Sequence, residues 1–478
     1  MSGRADRTPR LRVVAIADAD SFVKWSAATL DGLARVSAHI VLVRTPLVVS
    51  AAQQEAALAG TRFTGRDVTR VGYDELATWL AADRPDVVLV AGRGQLVRLI
   101  QRQIDRVHPR PIVVSGLPGI SIPAQRGAAQ YRRYADLVVI HSRREQRAFF
   151  DLAQRLDLPL ELGLATLPYA RVAGAGPAVG VGSAAGSGVV VDSAAGSGVA
   201  AGSAGGSVRR EGMPGGTDLV FAAQAMVPRE RRDREIVADI LRRAALADPT
   251  RRVVVKLRSR PGEQETHFER TGYPELLDYR PDNLVFSYAP MAEALQTAEG
   301  LVTVSSTAAI EAMAQGVPVI ALDTFGVGKQ HLNTVFSDSG LLGSAEDVVA
   351  RRFRHPHPLW LRENYFHDVR EATWWSRVEE LVARRRRGEL PARTVPQPPG
   401  GALQIAWQRK TVLGAEDHTL SGAVALAIGT PLDEALRALR RLRGRRGADT
   451  WFDAASDITV TATRHRDPLR RRASAARG

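Results

Sequence analysis

Apolar residues gather in short dense runs along the first third of the chain: "LRVVAIAD", "AHIVLVRT", "DVVLVAG", "PIVVSG" and "ADLVVIHS". Each run is rich in Val and Ile and ends in small or polar residues, and longer amphipathic stretches lie between them. Strands that are apolar almost throughout, alternating with helices, predict a parallel sheet covered on both faces. The alternation returns from about Asp218 to Leu342 in "DLVFAAQ", "RRVVVKLRS", "NLVFSY", "LVTVSS" and "VPVIALD". After it, "PLWLRENYFHDVREATWWSRVEELVARRRR" (358–387) reads as a long amphipathic helical region with its aromatic residues on the buried side. The Pro-rich "ELPARTVPQPPGG" then breaks the pattern.

Between the two series lies "GAGPAVGVGSAAGSGVVVDSAAGSGVAAGSAGGS", near residues 174–207, in which "SAAGSGV" occurs at 183 and again at 193. This repeat has no large side chains to offset the entropy of ordering, and it predicts a flexible linker. The organisation expected is α/β: two doubly wound Rossmann-like domains (1–170 and 218–390) joined by a linker (171–217). A basic, partly disordered extension follows (391–478). Ligands of such sheets bind beyond the carboxyl ends of the strands, so two facing sheets predict a cleft with the ligands in it.

Composition changes this picture in three places. The 478 residues are 45% hydrophobic and 24% charged, which suits a soluble protein of two or three domains. There is no cysteine, which excludes disulfides and thiolate metal sites. The net charge of +14 is uneven, with 19 Lys/Arg against 9 Asp/Glu from Arg384 to Gly478. Such a tail suits a phosphate-rich surface, either anionic lipid or nucleic acid, or is simply a solvated segment. No nucleic-acid motif with interleaved aromatics accompanies it. "MSGRADRTPRLRVVAIADAD" is a poor signal peptide and no run of about 18 apolar residues occurs. The expectation is a cytoplasmic protein, either soluble or in peripheral contact with the inner face of the membrane through its basic tail.

The chemistry concentrates in "VTVSSTAAIEAMAQGVPVIALD", Val302 to Asp323. It reads as strand, turn, helix, turn, strand, with Ser305, Ser306 and Thr307 at the turn. The helix is expected from Ala308 to Gln315, packed through Ile310, Met313 and Ala314 and ended by Gly316. Hydroxyls and unpaired N–H groups at a strand's carboxyl end suit a phosphate. Glu311, one turn on, leans toward the same cleft and suits the hydroxyls of a ribose. The same residues could equally be a helix cap and its dipole partner. "VVVKLRSRPGEQETH" delivers Lys256, Arg258 and Arg260 at another strand end, where clustered cations suit a diphosphate or form a solvated basic loop.

Together, the basic residues after "VVVK", the "NL" strand and "VTVSSTAAIEAMAQGVPVIALD" resemble the C-terminal domain of GT-B glycosyltransferases. The likeness is to bacterial capsule polysaccharide sugar transferases of the Kdo and sialic acid type, and to an actinobacterial group of uncharacterised glycosyltransferases. Teichoic acid glycerophosphotransferases share this half. In that group a Lys-x-His-Pro element and a Ser-Ser or Ser-Thr element grip the donor's phosphates. The resemblance thus implies a nucleotide sugar as co-substrate, with phosphate on Lys256 and on Ser305, Ser306 and Thr307, and ribose on Glu311. It implies a polysaccharide or lipid-linked acceptor and no metal. Arg258-Ser259 stands where the group has His-Pro, which leaves CMP-, UDP- and GDP-linked donors open.

An inverting transferase also needs a base from the other domain. Asp18 and Asp20 follow the first strand in "AIADADSFVKW", and His141 ends "ADLVVIHS"; all three are candidates. Asp20 also suits a helix start, and Ser142 with Glu145 matches a capping box. Trp25 reads as core. "SGLPGISIPAQR" suits close ligand approach, Gln224, Arg229 and Arg232 at the start of the second domain could face the donor, and Asp323 follows its last strand, where a base or sugar could lie. His355 and His357 in "RHPHP" have no third ligand nearby, so no metal site is expected. Two other readings fit the same pattern: a polyol-phosphate transferase or UDP-sugar 2-epimerase of this fold, and a non-enzymatic basic protein on membrane or nucleic acid.

Overall fold

The computed structural model describes residues 10–170, 216–258, 260, 271–391 and 393–442, with side chains to 431. Seven strands form the first sheet: β1 (Leu11–Ala17), β2 (Val36–Val43), β3 (Val68–Val71), β4 (Val87–Ala91), β5 (Ile112–Gly116), β6 (Leu137–Ile140) and β7 (Leu162–Leu164). Six form the second: β8 (Asp218–Ala222), β9 (Val253–Lys256), β10 (Leu284–Ser287), β11 (Ala298–Thr303), β12 (Val319–Leu322) and β13 (Leu342–Gly343). The orders are β3-β2-β1-β4-β5-β6-β7 and β10-β9-β8-β11-β12-β13. Every paired strand in both sheets is parallel. These are two doubly wound Rossmann-like sheets, as the periodicity predicts. Strand order reverses between β1 and β4 in one and between β8 and β11 in the other, and crevices for ligands open at such points.

The long apolar runs formed strands because both of their faces are covered: β4 and β8 are buried at every residue. Three strands go beyond the sequence reading. β3 is half polar, and β7 and β13 are only three and two residues long. All three lie at or next to a sheet edge, where little apolar surface is needed.

The region 358–387 is not one helix. It breaks into helices Pro358–Glu363 and Trp374–Arg386 around a short turn. The second of these, assigned on sequence to the second domain, packs under the first sheet. Trp374, Val378 and Val382 join Leu137 and Val139 in one buried cluster. Thr373 N donates to Leu164 O at 2.8 Å, and Arg385 Nη2 to Asp86 Oδ1 at 2.8 Å. A methyl group on Gly163 would stand 2.9 Å from Trp374 Cα, so β7 and this helix meet backbone to backbone.

One apolar cluster spans both domains and includes Leu164, Leu167, Ala308, Phe336, Trp360 and Tyr365. Polar contacts reinforce it. Arg144 donates to the carbonyls of Thr334 and Val335, and the Tyr365 hydroxyl donates to Glu145 Oε1 at 2.7 Å. The linker lies outside the described residues, as does the extension beyond Leu442. The part of the extension that is described holds two helices, Gly401–Leu413 and Leu420–Leu442.

Candidate functional site between the two sheets

The second sheet supplies one wall. β11 ends at Thr303, and the chain turns through Ser305–Thr307 into the helix Ala308–Ala314. The turn is held by its own polar groups. Gln224, just past β8, accepts from Ser305 N through Oε1 at 3.0 Å and donates to Ser305 Oγ at 3.2 Å. Thr303 Oγ1 accepts from Ser306 N at 3.1 Å, and Ser306 Oγ accepts from Ala308 N at 3.2 Å. Ser306 thus braces the turn ahead of the helix, whose N-cap is Thr307, while Ser305 is buried against Gln224. The helix is seven residues long, so anion binding here falls mainly on side chains.

Lys256 closes β9 and is 9% exposed, its ammonium donating to Leu257 O. Burial lowers its pKa to about 8; Arg258 and Lys24 push the same way and Glu311 opposes them. A protonated amine held this far from water is poised to gain from a nearby anion. Arg258 is exposed at the rim. Asp323 follows β12, three strands from β9, is half-buried, and its carbonyl accepts from Gly326 N at 2.7 Å in a turn where Gly326 has φ +80°.

The first sheet supplies the facing wall. Asp18 follows β1 and is buried; its Oδ2 accepts from Arg93 Nε at 2.8 Å, across the switch point. Oδ1 of Asp18 and Nη2 of Arg93 have no hydrogen-bond partner among the described residues. Burial raises the Asp18 pKa, and Arg93 only partly offsets this. Asp20 opens the helix Asp20–Asp31 and is half-buried.

The walls meet around Glu311 and Thr307. Lys24, on that same helix, brings Nζ within 3.3 Å of Glu311 Oε1 and 4.5 Å of the Tyr169 ring centre. Tyr169 has its pKa raised by burial first, then by the charges of Glu311 and Asp20. A methyl group on Gly119 would sit 2.6 Å from Thr307 Oγ1. Lys24 thus pairs with Glu311 between the walls, and Lys256 lies within the influence of Arg258, Glu311 and Lys24.

His141 is placed differently. It is fully buried. Its Nε2 accepts from Trp25 Nε1 at 2.8 Å, and Nδ1 lies 3.2 Å from Ala165 O. Because indole only donates, the proton sits on Nδ1 and both ring nitrogens serve the fold. Ser142 caps the helix Arg143–Leu156, its Oγ accepting from Glu145 N at 3.0 Å. The Glu145 carboxylate accepts from His141 N at 2.8 Å and Ser121 N at 2.9 Å. His357 caps the helix Pro358–Glu363, its Nδ1 accepting from Leu359 N at 3.3 Å. Among the described residues no three His, Asp or Glu side chains group as metal ligands do.

Residues 13–381 match the family described as "Putative glycosyltransferase (DUF6716)". The chain belongs to that family. The match takes in both sheets and every site residue above. Several solved structures resemble this family member in layout. One is the UDP co-structure of S. aureus MnaA: 10% identity, 81% of this chain and 100% of that one, TM-score 0.48. A second is the Neisseria meningitidis UDP-GlcNAc 2-epimerase bound to UDP-GlcNAc: 9% identity, 79% and 100% coverage, TM-score 0.43. A third is Phytolacca americana UGT2 with UDP-2fluoro-glucose and pterostilbene: 13% identity, 80% and 96% coverage, TM-score 0.39. At such identities and TM-scores they assign no substrate and no reaction. No curated protein matches the chain.

Within this family member, Lys24, Tyr169 and the role of Gly119 go beyond the sequence reading. Lys24 carried a signal: it is the only cation in "DSFVKWSAATLD", a helix whose Phe22, Val23 and Trp25 are buried. Tyr169 carried none, since only the fold brings it against the helix Ala308–Ala314. Gln224 was expected to face the donor, and it buttresses the Ser305 turn.

Proposed function

We propose that this protein moves a sugar from a nucleoside-diphosphate or nucleoside-monophosphate donor onto a polysaccharide or lipid-linked acceptor. The observation that carries the reading is Lys256, buried at its strand end within the influence of Arg258, Glu311 and Lys24. In this reading the donor phosphates lie against Lys256, Arg258 and the Thr307 hydroxyl, and the ribose hydroxyls bond Glu311. Bound phosphate would neutralise the ammonium whose burial is otherwise costly, and charge that develops on the leaving phosphate gains most from such fixed cations.

Lys24 pairs with Glu311, so a ribose on Glu311 would take its place and free Lys24 to reach the phosphates from the acceptor side. Asp18 acts as base: its unpartnered oxygen and raised pKa suit it to take the acceptor hydroxyl's proton. As that proton leaves, the acceptor oxygen bonds the anomeric carbon and the bond to phosphate breaks. Asp20 steers charge beside it, and His141 is a structural residue in this scheme.

A transfer assay with a panel of UDP-, GDP- and CMP-sugars tests it. Asp18→Asn should lower turnover by 100-fold or more, in the range of a lost general base, with nucleotide binding kept. Full turnover by Asp18→Asn with loss in Asp20→Asn would move the base to Asp20. No donor consumed by the wild type, with any acceptor tried, would end the proposal.

A further inference from the structure

Helix Leu420–Leu442 wears its apolar surface outward. Among its described side chains, to Pro431, Gly422 and Ala425 are buried and Gly429 half-buried; Gly422 lies against Asp417 and Thr419, and Gly429 against helix Gly401–Leu413. A methyl group on Gly429 would stand 2.4 Å from the Trp407 ring. The large apolar residues point away: Leu420 is 86%, Val424 55% and Ile428 53% exposed. At about 100° per residue these three share one stripe, roughly a third of a turn from the packed face. Leu426 and Leu403 add to the exposed apolar surface.

Residues 420–432 carry no charge; Asp433 and Glu434 follow, and residues 437–446 then hold six arginines and no acid. An uncharged apolar face followed by an arginine-dense segment is the pattern of a helix that lies in a membrane interface. Among the described residues no helix is long and apolar enough to cross a bilayer, so the contact is with one leaflet.

The hairpin is fixed to the first domain. Leu413 is buried in the main core. Val395 N donates to Asp105 Oδ2 at 2.7 Å, and Arg102 Nη2 to Pro396 O at 2.9 Å. Gly414 lies against Pro46, just past the carboxyl end of β2, on the side where the cleft opens. The hairpin also lies beyond the residues matched to the family.

We infer that helix Leu420–Leu442 is an interfacial anchor that docks the first domain on a bilayer rich in anionic headgroups, through Leu420, Val424 and Ile428 with the arginines beyond them. This holds whatever the donor is, because the anchor and the nucleotide site share no residue. The test is co-sedimentation of the full chain with phosphatidylcholine vesicles, with and without phosphatidylglycerol. Wild type should pellet with the phosphatidylglycerol vesicles and release at high salt. The triple variant Leu420→Asp, Val424→Asp, Ile428→Asp should lose at least tenfold in partition with an unchanged melting curve, since the three side chains are exposed. Wild type left in the supernatant, or a triple variant that pellets as well as wild type, would overturn the inference. So would a wild-type dimer that the triple variant turns into a monomer, because a second copy would then be what covers the stripe.

Discussion

Lys256 is where sequence, burial and the proposed function converge on one side chain. Its pKa of about 8 lies below the usual lysine value of 10.5 because the ammonium is buried. Between pH 8 and 10.5 the unfolded chain therefore binds more protons at this position than the folded one, so stability rises with pH across that window. Below pH 8 the full cost of the buried charge is present, up to about 3 kcal/mol. Lys256→Met should remove this dependence, which urea titrations across the window would read. A bound phosphate would hold the proton in place. Nucleotide binding at about pH 8.5 should then take up protons. Calorimetry in two buffers of different ionisation enthalpy measures that uptake, and Lys256→Met should abolish it.

His141 makes the opposite case. A histidine at a strand's cleft end reads as chemistry, and the Trp25 indole makes it structure. His141→Ala leaves a buried indole N–H without an acceptor and a cavity, costing about 3 kcal/mol of stability. Activity per folded molecule should survive. A normal melting curve with lost turnover would return His141 to catalysis.

At the scale of elements, what the sequence revealed follows from how much each element must bury. β1, β4, β5, β6 and β8 are covered on both faces, so their runs of Val and Ile announce them. β3, β7 and β13 are short or half polar and give no such run. The turn Ser305–Thr307 and Lys256 were legible because strand ends are marked by a switch from apolar to polar. The destination of helix Trp374–Arg386 was not, since an amphipathic stripe does not say which sheet it covers. That contact is tight, and Gly163 is its weak point. Gly163→Ala forces a methyl group to 2.9 Å from the Trp374 backbone. Overpacking of this kind should cost about 1–3 kcal/mol, measurable as a lower thermal midpoint. An unchanged midpoint would mean the helix can retreat freely.

Across the whole molecule, the domains share one apolar core, and the ion pairs that cross between them, Lys24–Glu311, Arg143–Glu371 and Arg147–Glu363, are partly exposed. The Lys24–Glu311 pair is half exposed on the lysine side, and such pairs contribute about 0.2–1 kcal/mol. Lys24→Ala should therefore leave the melting curve nearly unchanged while weakening nucleotide binding several-fold. Tyr365→Phe should do the reverse: it deprives buried Glu145 of a donor from the other domain, at about 1–3 kcal/mol, with nucleotide affinity kept. Contacts such as Lys24–Glu311 and Gly119–Thr307 join residues 287 and 188 positions apart. No local pattern encodes them; the facing of the two sheets does.

The central claim is that the facing strand ends bind a nucleotide through Lys256. Thermal melting of wild type and Lys256→Ala with UDP, GDP, CMP and their sugar conjugates tests it most directly, because a ligand of the native state must raise the midpoint. At least one nucleotide should stabilise the wild type, and Lys256→Ala should weaken that binding tenfold or more, about 1.4 kcal/mol. Failure of every nucleotide to shift the wild type, or an equal shift in Lys256→Ala, would contradict it.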